Sequence, residues 1–499
     1  MADYDVIVIG AGLGGLTSGA ISAARGRKVL VLEQSDLVGG CCSTFEREGY
    51  HFDIGASVVE VVGSLEKAFD LLGTSMDKEL NLSPCDPIYD YILKDGTRFQ
   101  FPISSEGTAE VIKKVAPEDA DAWPAFASYM KEFLELATDS VLGSPMITMR
   151  DMAGMFVKYP ALLKYRELFT SSYEDVIKKW FKTSAMQQTA AYQSFYLGLP
   201  PELCGGVYAM LGYTEHEGSY YPHGGMIEIP LAYKRCGEKY GMEVRTGQRV
   251  DRVIVRNRTA EGVILSDGTA ITAPVVISNI NAMTLYLKLI GEENLPWLAR
   301  VGIKSYEPSM SVPMIFIGVD YEPELHAHHA LISRPLEEMD DYWWNIYKKN
   351  KLPDDMFSLI CWPTESDPSL APKGHHVVNL IMTPGPYRLE GTTWDREKEA
   401  YIEKSIDFVT RHAMPGLKDH VKVVEMCTPV DYERRLLNPE GAIYGLQQET
   451  TASMVFRPSA KSKSIKGLYL SGASTHPGGG VPSVVSSGII AADLVQKYE

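Results

Sequence analysis

The chain opens on an apolar strand, Asp5-Val6-Ile7-Val8-Ile9, that runs directly into Gly10-Ala11-Gly12-Leu13-Gly14-Gly15. A glycine turn between a buried strand and a helical stretch (Leu16 to Arg25) predicts a βα unit. Lys28-Val29-Leu30-Val31-Leu32 supplies the second parallel strand. Each glycine has a physical task. Gly10 permits the tight turn, Gly12 lets the backbone approach a pyrophosphate, and Gly15 lets the helix pack on the sheet. The helix N-terminus turns unpaired N–H groups and a positive dipole end toward phosphates. Glu33 closes the second strand, where a carboxylate can accept from both hydroxyls of a ribose. An acid at this point argues against a ribose 2′-phosphate.

A chain of 499 residues is long enough for two or three domains. It contains no run of about 18 apolar residues, so no membrane-spanning helix is expected. The apolar N-terminus reads as a strand and not as a leader, which places the protein in the cytoplasm, peripheral on a membrane at most. The net charge of −16 opposes a nucleic-acid partner, which needs a basic footprint. The seven cysteines are scattered without a CxxC pair. His326-Ala327-His328-His329 follows a Pro-containing turn and reads as a solvated loop. No metal site is expected.

Two further glycine turns follow the fingerprint. They are Glu33-Gln34…Gly39-Gly40-Cys41-Cys42-Ser43 and Gly49-Tyr50-His51-Phe52-Asp53-Ile54-Gly55-Ala56. They fit backbone lying close to a large flat ligand, as a flavin requires and a nicotinamide cofactor does not. From Gly63 to about Leu211 the pattern is helical. Val111, Ile112 and Val115 share a face behind Thr108 as N-cap, and Phe126, Met130, Phe133 and Leu134 share another. The stretch Met146 to Phe156 is rich in methionine, and Lys158 and Lys164 flank Pro160-Ala161-Leu162-Leu163. It reads either as ordinary core or as an apolar tunnel mouth that docks on a membrane. Strands return at 243–245, 250–255 and 260–265, with a hairpin at Asp267-Gly268. The expected division is a dinucleotide-binding domain (1–62, 224–281 and 460–499), a mostly helical cap (63–223) and a mixed α/β substrate domain (282–459).

The tail is the second strong signal. The strand Gly467-Leu468-Tyr469-Leu470-Ser471-Gly472 leads through Ala473-Ser474-Thr475-His476-Pro477-Gly478-Gly479-Gly480-Val481-Pro482-Ser483 into a last helix. A Gly/Pro turn ahead of a helix N-terminus again suits an electron-rich atom. Together the two ends predict one site.

These residues, with Tyr220-Tyr221-Pro222-x-Gly224-Gly225-Met226, Asn438-Pro439, Tyr444-Gly445 and Phe456-Arg457-Pro458, resemble the FAD-dependent carotenoid desaturase and carotenoid isomerase group. That group includes retinol saturases and sits among the wider amine oxidase-like flavoproteins. The resemblance implies an α/β fold: a Rossmann-like, two-dinucleotide-binding-domain flavoprotein with an antiparallel-sheet substrate domain and a helical insertion. It implies FAD as cofactor. Gly10, Ala11, Gly12, Leu13, Gly14 and Gly15 would cradle the pyrophosphate, and Glu33 and Gln34 would lie at the ribose. Gly39, Gly40, Cys41, Cys42 and Ser43 would line the path toward the flavin, with Gly55 and Ala56 beyond. Val250 would clasp the adenine. Gly472, Gly480, Val481, Pro482 and Ser483 would meet the ribityl chain and flavin. Many relatives carry Arg where this chain has Cys41, which leans the resemblance toward the isomerase and saturase side.

The implied reaction is a hydride exchange with a C=C or CH–CH unit of a long apolar polyene, with an apolar lipid substrate, a membrane surface and an unnamed electron carrier as partners. Desaturation, saturation and isomerisation stay open. An amine oxidase and a non-catalytic prenyl-lipid escort are the alternatives. Glu215, Glu217, Tyr220, Tyr221 and Tyr444 are the acid/base candidates, with His216 and His223 behind them. No carboxylate or aromatic cage for an ammonium is attached to the flavin-facing motifs.

Overall fold

In a computed structural model that describes residues 2–145, 148–449 and 454–499, the strand Val6–Ile9 lies at the centre of a five-stranded parallel sheet. The strand order is Glu243–Arg245, Val29–Leu32, Val6–Ile9, Val275–Ser278, Leu468–Leu470. Val6 pairs with both Val29 and Val275. The three inner strands are Val, Ile and Leu almost throughout and fully buried, as expected for parallel strands covered on both faces. Their side chains alternate. Val6, Val8, Val29 and Val31 pack under the helices Leu13–Ala24, Glu228–Lys239 and Val481–Tyr498. Ile7, Ile9, Leu30 and Leu32 pack under the antiparallel sheet 250–256, 259–265, 270–272.

The first and last helices lie against each other, so the two ends of the chain meet at the C-terminal edge of the parallel sheet. Ligands of open α/β folds bind at that edge. The approach is close. Gly10 has φ +93°, and a methyl on Gly15 would stand 2.2 Å from the Gly10 carbonyl oxygen.

A second sheet has seven strands, in the order 421–427, 314–319, 376–382, 358–361, 329–332, 89–92, 98–101. All its pairs are antiparallel except His329–Ile332 with Tyr89–Ile92. Residues 63–223 are mostly helical, but the strands Tyr89–Ile92 and Arg98–Phe101 within them complete the sheet of the other region. Tyr89, Tyr91, Phe99 and Phe101 alternate with polar residues across an Asp95-Gly96 turn and form one aromatic face. The helical run begins at Ser105. Ser104, not Thr108, caps it, its side chain accepting from the Gly107 N–H. Beyond it, Trp123, Phe126, Met130 and Phe133 bury against Tyr165, Ile177 and Phe181. Among the described residues no helix is long and apolar enough to cross a membrane.

Candidate active site

One cavity of about 410 Å³ joins the first glycine turn to the tail and extends beneath the helical body. Gly10, Gly12, Leu13, Glu33, Gln34, Gly39, Gly40, Cys41, Cys42, Gly55, Ala56, Val250, Gly472, Gly480, Val481, Pro482 and Ser483 all line it, as does Tyr444, which abuts Gly479. Ala11, Gly14, Gly15 and Ser43 do not. They stand behind the wall and shape it. The Ala11 N–H donates to Glu33 Oε2 at 2.8 Å, Gly14 abuts Gly472, and Gly15 abuts Gly10.

Glu33 Oε1 accepts from the Ser35 N–H at 2.9 Å. Burial pushes this carboxyl above its ordinary value, and its backbone donors and the nearby Arg435 oppose that rise. Both helix N-termini at the cavity, after Gly12 and after Gly480, lack a side-chain cap, which leaves their first N–H groups for a ligand. Buried polar atoms ordinarily have partners. Here Asn279 Oδ1, Asn281 Nδ2 and Arg435 Nε, all on residues of the cavity wall, have none among the described residues. Donors, a cation and two open helix ends along one elongated cavity fit a dinucleotide with a charged pyrophosphate.

Where an Arg is expected after Gly39-Gly40, the Cys41 thiol instead donates to the Ile443 carbonyl at 3.7 Å. Burial pushes it up to about 11, so it is a poor thiolate. A cation is nonetheless present. Arg435, on the helix Pro429–Leu436, lies within electrostatic reach of both Cys41 and Glu33.

Of the acid/base candidates only Tyr444 lines the cavity. Burial raises its hydroxyl well above the usual phenol range. Tyr221 is excluded by its partner: its hydroxyl donates to Asp53 Oδ2 at 2.5 Å in the core. Asp53 also accepts from Thr44 Oγ1 at 2.6 Å and from the Met226 N–H at 2.9 Å, and burial lifts it to about 6. This carboxyl ties the Gly49–Gly55 turn to the Tyr220–Met226 segment. Tyr220 lies on the same strand, outside the cavity wall, and packs over Gly218. Glu217 pairs with Lys131 at 3.2 Å. His216 bonds the Ile103 carbonyl and is pushed down to about 4 by burial. His223 bonds Ser83 at 2.7 Å. Glu215 is buried one layer behind the wall.

The wall carries polar groups that sequence reasoning missed. Ser57, Glu60, Tyr196 and Thr214 line the apolar part of the cavity. Glu60 places a carboxylate on the cavity wall, although none is attached to the flavin-facing motifs in the sequence. The solvated-loop reading of His326–His329 is corrected as well. His328 and His329 are buried, His329 begins a strand, and both bond Ser57, through its carbonyl and its hydroxyl, at 3.0 Å.

Residues 13–496 match the family described as flavin containing amine oxidoreductase. The chain belongs to that family. The chain is an FAD-dependent oxidoreductase. Among curated relatives, a phytoene desaturase (neurosporene-forming) of Rhodobacter capsulatus is 28% identical over 496 residues, covering 98% of this chain and 93% of the relative. A phytoene desaturase of Fusarium fujikuroi is 29% identical over 522 residues, covering 99% and 89%. Among solved structures, putrescine oxidase bound to putrescine shares the fold with TM-score 0.65 at 15% identity over 99% of both chains.

Proposed function

We propose that this flavoprotein transfers hydride between FAD and a C=C or CH–CH unit of a long apolar polyene at a membrane surface, by desaturation, saturation or isomerisation. The observation that carries the reading is the cavity, which continues from the flavin cradle into an apolar chamber walled by Phe133, Leu134, Ala137, Leu197, Leu211 and Leu359. Such a wall suits a hydrocarbon chain and offers little to a soluble polar substrate. The phytoene desaturases that match nearly the whole chain support the same class.

FAD, when bound, supplies the two-electron chemistry, and the chain supplies position and exclusion of water. Glu33 and the open helix ends hold the dinucleotide without a covalent link. Buried Cys41 and Cys42, whose thiols are held protonated by burial, are not nucleophiles for a thioether.

Three exposed apolar side chains, Met149, Val157 and Leu163, lie beside Lys158 and Lys164. Met146 and Ile147 of the methionine-rich stretch lie outside the described residues. Phe156 packs edge-on against Phe169 and is not part of this surface. The turn Met454–Phe456 touches the same helix. Met454 lines the cavity, and the Phe456 carbonyl accepts from Tyr306 at 2.5 Å. Just before Tyr306 the helix Trp297–Lys304 exposes Trp297, Leu298 and Val301. Apolar side chains and lysines around a wall of the cavity are what an interfacial enzyme presents to acyl chains and headgroups. The test is product analysis from liposomes loaded with phytoene-, lycopene- or retinol-like compounds. A changed hydrogen count or isomer supports the reading. Unchanged polyenes with turnover of putrescine-like amines would replace it by amine oxidation.

A further inference from the structure

Glu60 ends the two-residue strand Val59–Glu60, which pairs with the strand Ser219–Pro222. It lines the cavity together with Thr214 and Tyr196. Its Oε2 accepts from Thr214 Oγ1 at 3.1 Å. The next residue, Glu215, is 2% exposed. Its Oε2 takes the Gln193 amide at 3.4 Å, and its Oε1 has no partner among the described residues. The two carboxyls feel each other's charge. The titratable groups facing the pair are Cys85, Tyr89, Tyr91, Tyr173 and Tyr196, all neutral at ordinary pH. No lysine, arginine or histidine among the described residues contributes to either carboxyl. No cation among the described residues compensates either carboxyl, and one of them faces the chamber.

We infer that Glu60 and Glu215 hold one proton between them at neutral pH, and that Glu60 is the group that exchanges a proton with the substrate carbon next to the hydride-exchanging one. The inference rests on the polyene reading above. A buried carboxyl beside a half-buried one, with no counter-cation, resists double ionisation, and such a pair titrates as a unit. Burial, and then the charge of Glu60, holds Glu215 above the carboxylate range, while burial brings Glu60 to about 7. A proton-transfer group works best near the operating pH.

In the desaturating direction, with FAD bound, one C–H bond would break and the oxidised flavin would take its hydride with both electrons. The neighbouring C–H bond breaks, its electron pair closes the C=C, and its proton forms an O–H bond on Glu60. Saturation runs the same transfers in reverse. Glu215, buried behind, acts through Glu60 and is a positioning residue.

The test uses the FAD-loaded protein with Glu60→Gln and Glu215→Gln. Glu60→Gln is expected to keep its flavin content and to lose at least about 100-fold in the rate of polyene-driven flavin reduction, together with the pH limb near neutrality. Glu215→Gln, which mimics the neutral acid, is expected to keep most of the rate and to leave that limb in place. Infrared difference spectra of the oxidised protein, compared with Glu215→Gln at about pH 9, are expected to show a protonated-carboxyl stretch that this variant lacks and Glu60→Gln keeps. A Glu60→Gln rate within about threefold of wild type would overturn the catalytic role and leave the polyene reading standing. Absence of the carboxyl band would overturn the shared proton, whatever the substrate. Polyenes left unchanged by wild type would instead overturn the polyene reading, and the band would then decide the pair alone. Amine-driven flavin reduction that Glu60→Gln abolishes would overturn both and make Glu60 the partner of an ammonium.

Discussion

Replacing Glu33 by Ala removes a carboxylate that two backbone donors aim at the cavity. Its oxygens accept from the Ala11 and Ser35 N–H groups at 2.8 and 2.9 Å, which leaves their remaining lone pairs to ribose hydroxyls. A hydrogen bond to a charged group contributes about 1.5–3 kcal/mol, so losing the ribose contact weakens FAD binding by about tenfold to a hundredfold or slightly more. The structure adds a second cost. Ala11 belongs to the turn that shapes the pyrophosphate cradle, and its N–H and that of Ser35 lose their acceptor. An unsatisfied buried donor costs about 1–3 kcal/mol, reduced where water enters the emptied site. The apoprotein is therefore expected to melt a few degrees lower while still folding cooperatively. Reconstitution titrations followed by flavin fluorescence give the first quantity, and melting of the apoproteins gives the second. A Glu33→Ala protein that keeps its full flavin through exhaustive dialysis would refute the assignment and leave Glu33 a solvated strand-end acid.

Denaturation should release all the yellow chromophore as free FAD, and colour retained in the precipitate would contradict the non-covalent assignment. Burial lifts Glu60 from 4.5 to about 7, which at 1.36 kcal/mol per unit costs the folded state about 3 kcal/mol above that pH. The folded state binds this proton more tightly, so the group's contribution is fully present below pH 4.5 and lost as the pH rises through 7. Denaturant titrations of Glu60→Gln and wild type should therefore diverge in the variant's favour from acid to mildly alkaline pH, and a constant difference would show the shift to be absent. A Met149→Asp/Val157→Asp variant should leave the liposome fraction and slow turnover of embedded substrate with unchanged flavin content. Equal co-sedimentation with wild type would remove this face from the membrane surface.

The glycine turns that line the cavity were legible because their demands are local. Only glycine satisfies a turn whose next methyl would meet a carbonyl at 2.2 Å, as at Gly15, and only near-continuous Val, Ile and Leu fill strands covered on both faces. Residues that act across long sequence separations were not. Tyr221 looks like a phenol free to move a proton until Asp53, 168 residues away, is seen to hold it. Glu60 sits on a strand of two residues, too short for any alternation to announce. The strands Tyr89–Ile92 and Arg98–Phe101 were absorbed into a helical region because their alternating aromatics acquire meaning only beside His329–Ile332. Arg435 supplies, from a distant helix, the cation missing at Cys41.

Anaerobic stopped-flow mixing of the FAD-loaded protein with polyenes and with amines tests the central claim most directly. Flavin absorbance and the extracted organic phase are followed together in both oxidised and dithionite-reduced protein. The account predicts that at least one phytoene-, lycopene- or retinol-like compound changes the flavin or is itself changed in one of the two redox states, while monoamines and polyamines leave the flavin untouched. Bleaching by an amine, with every polyene inert in both states, would contradict it.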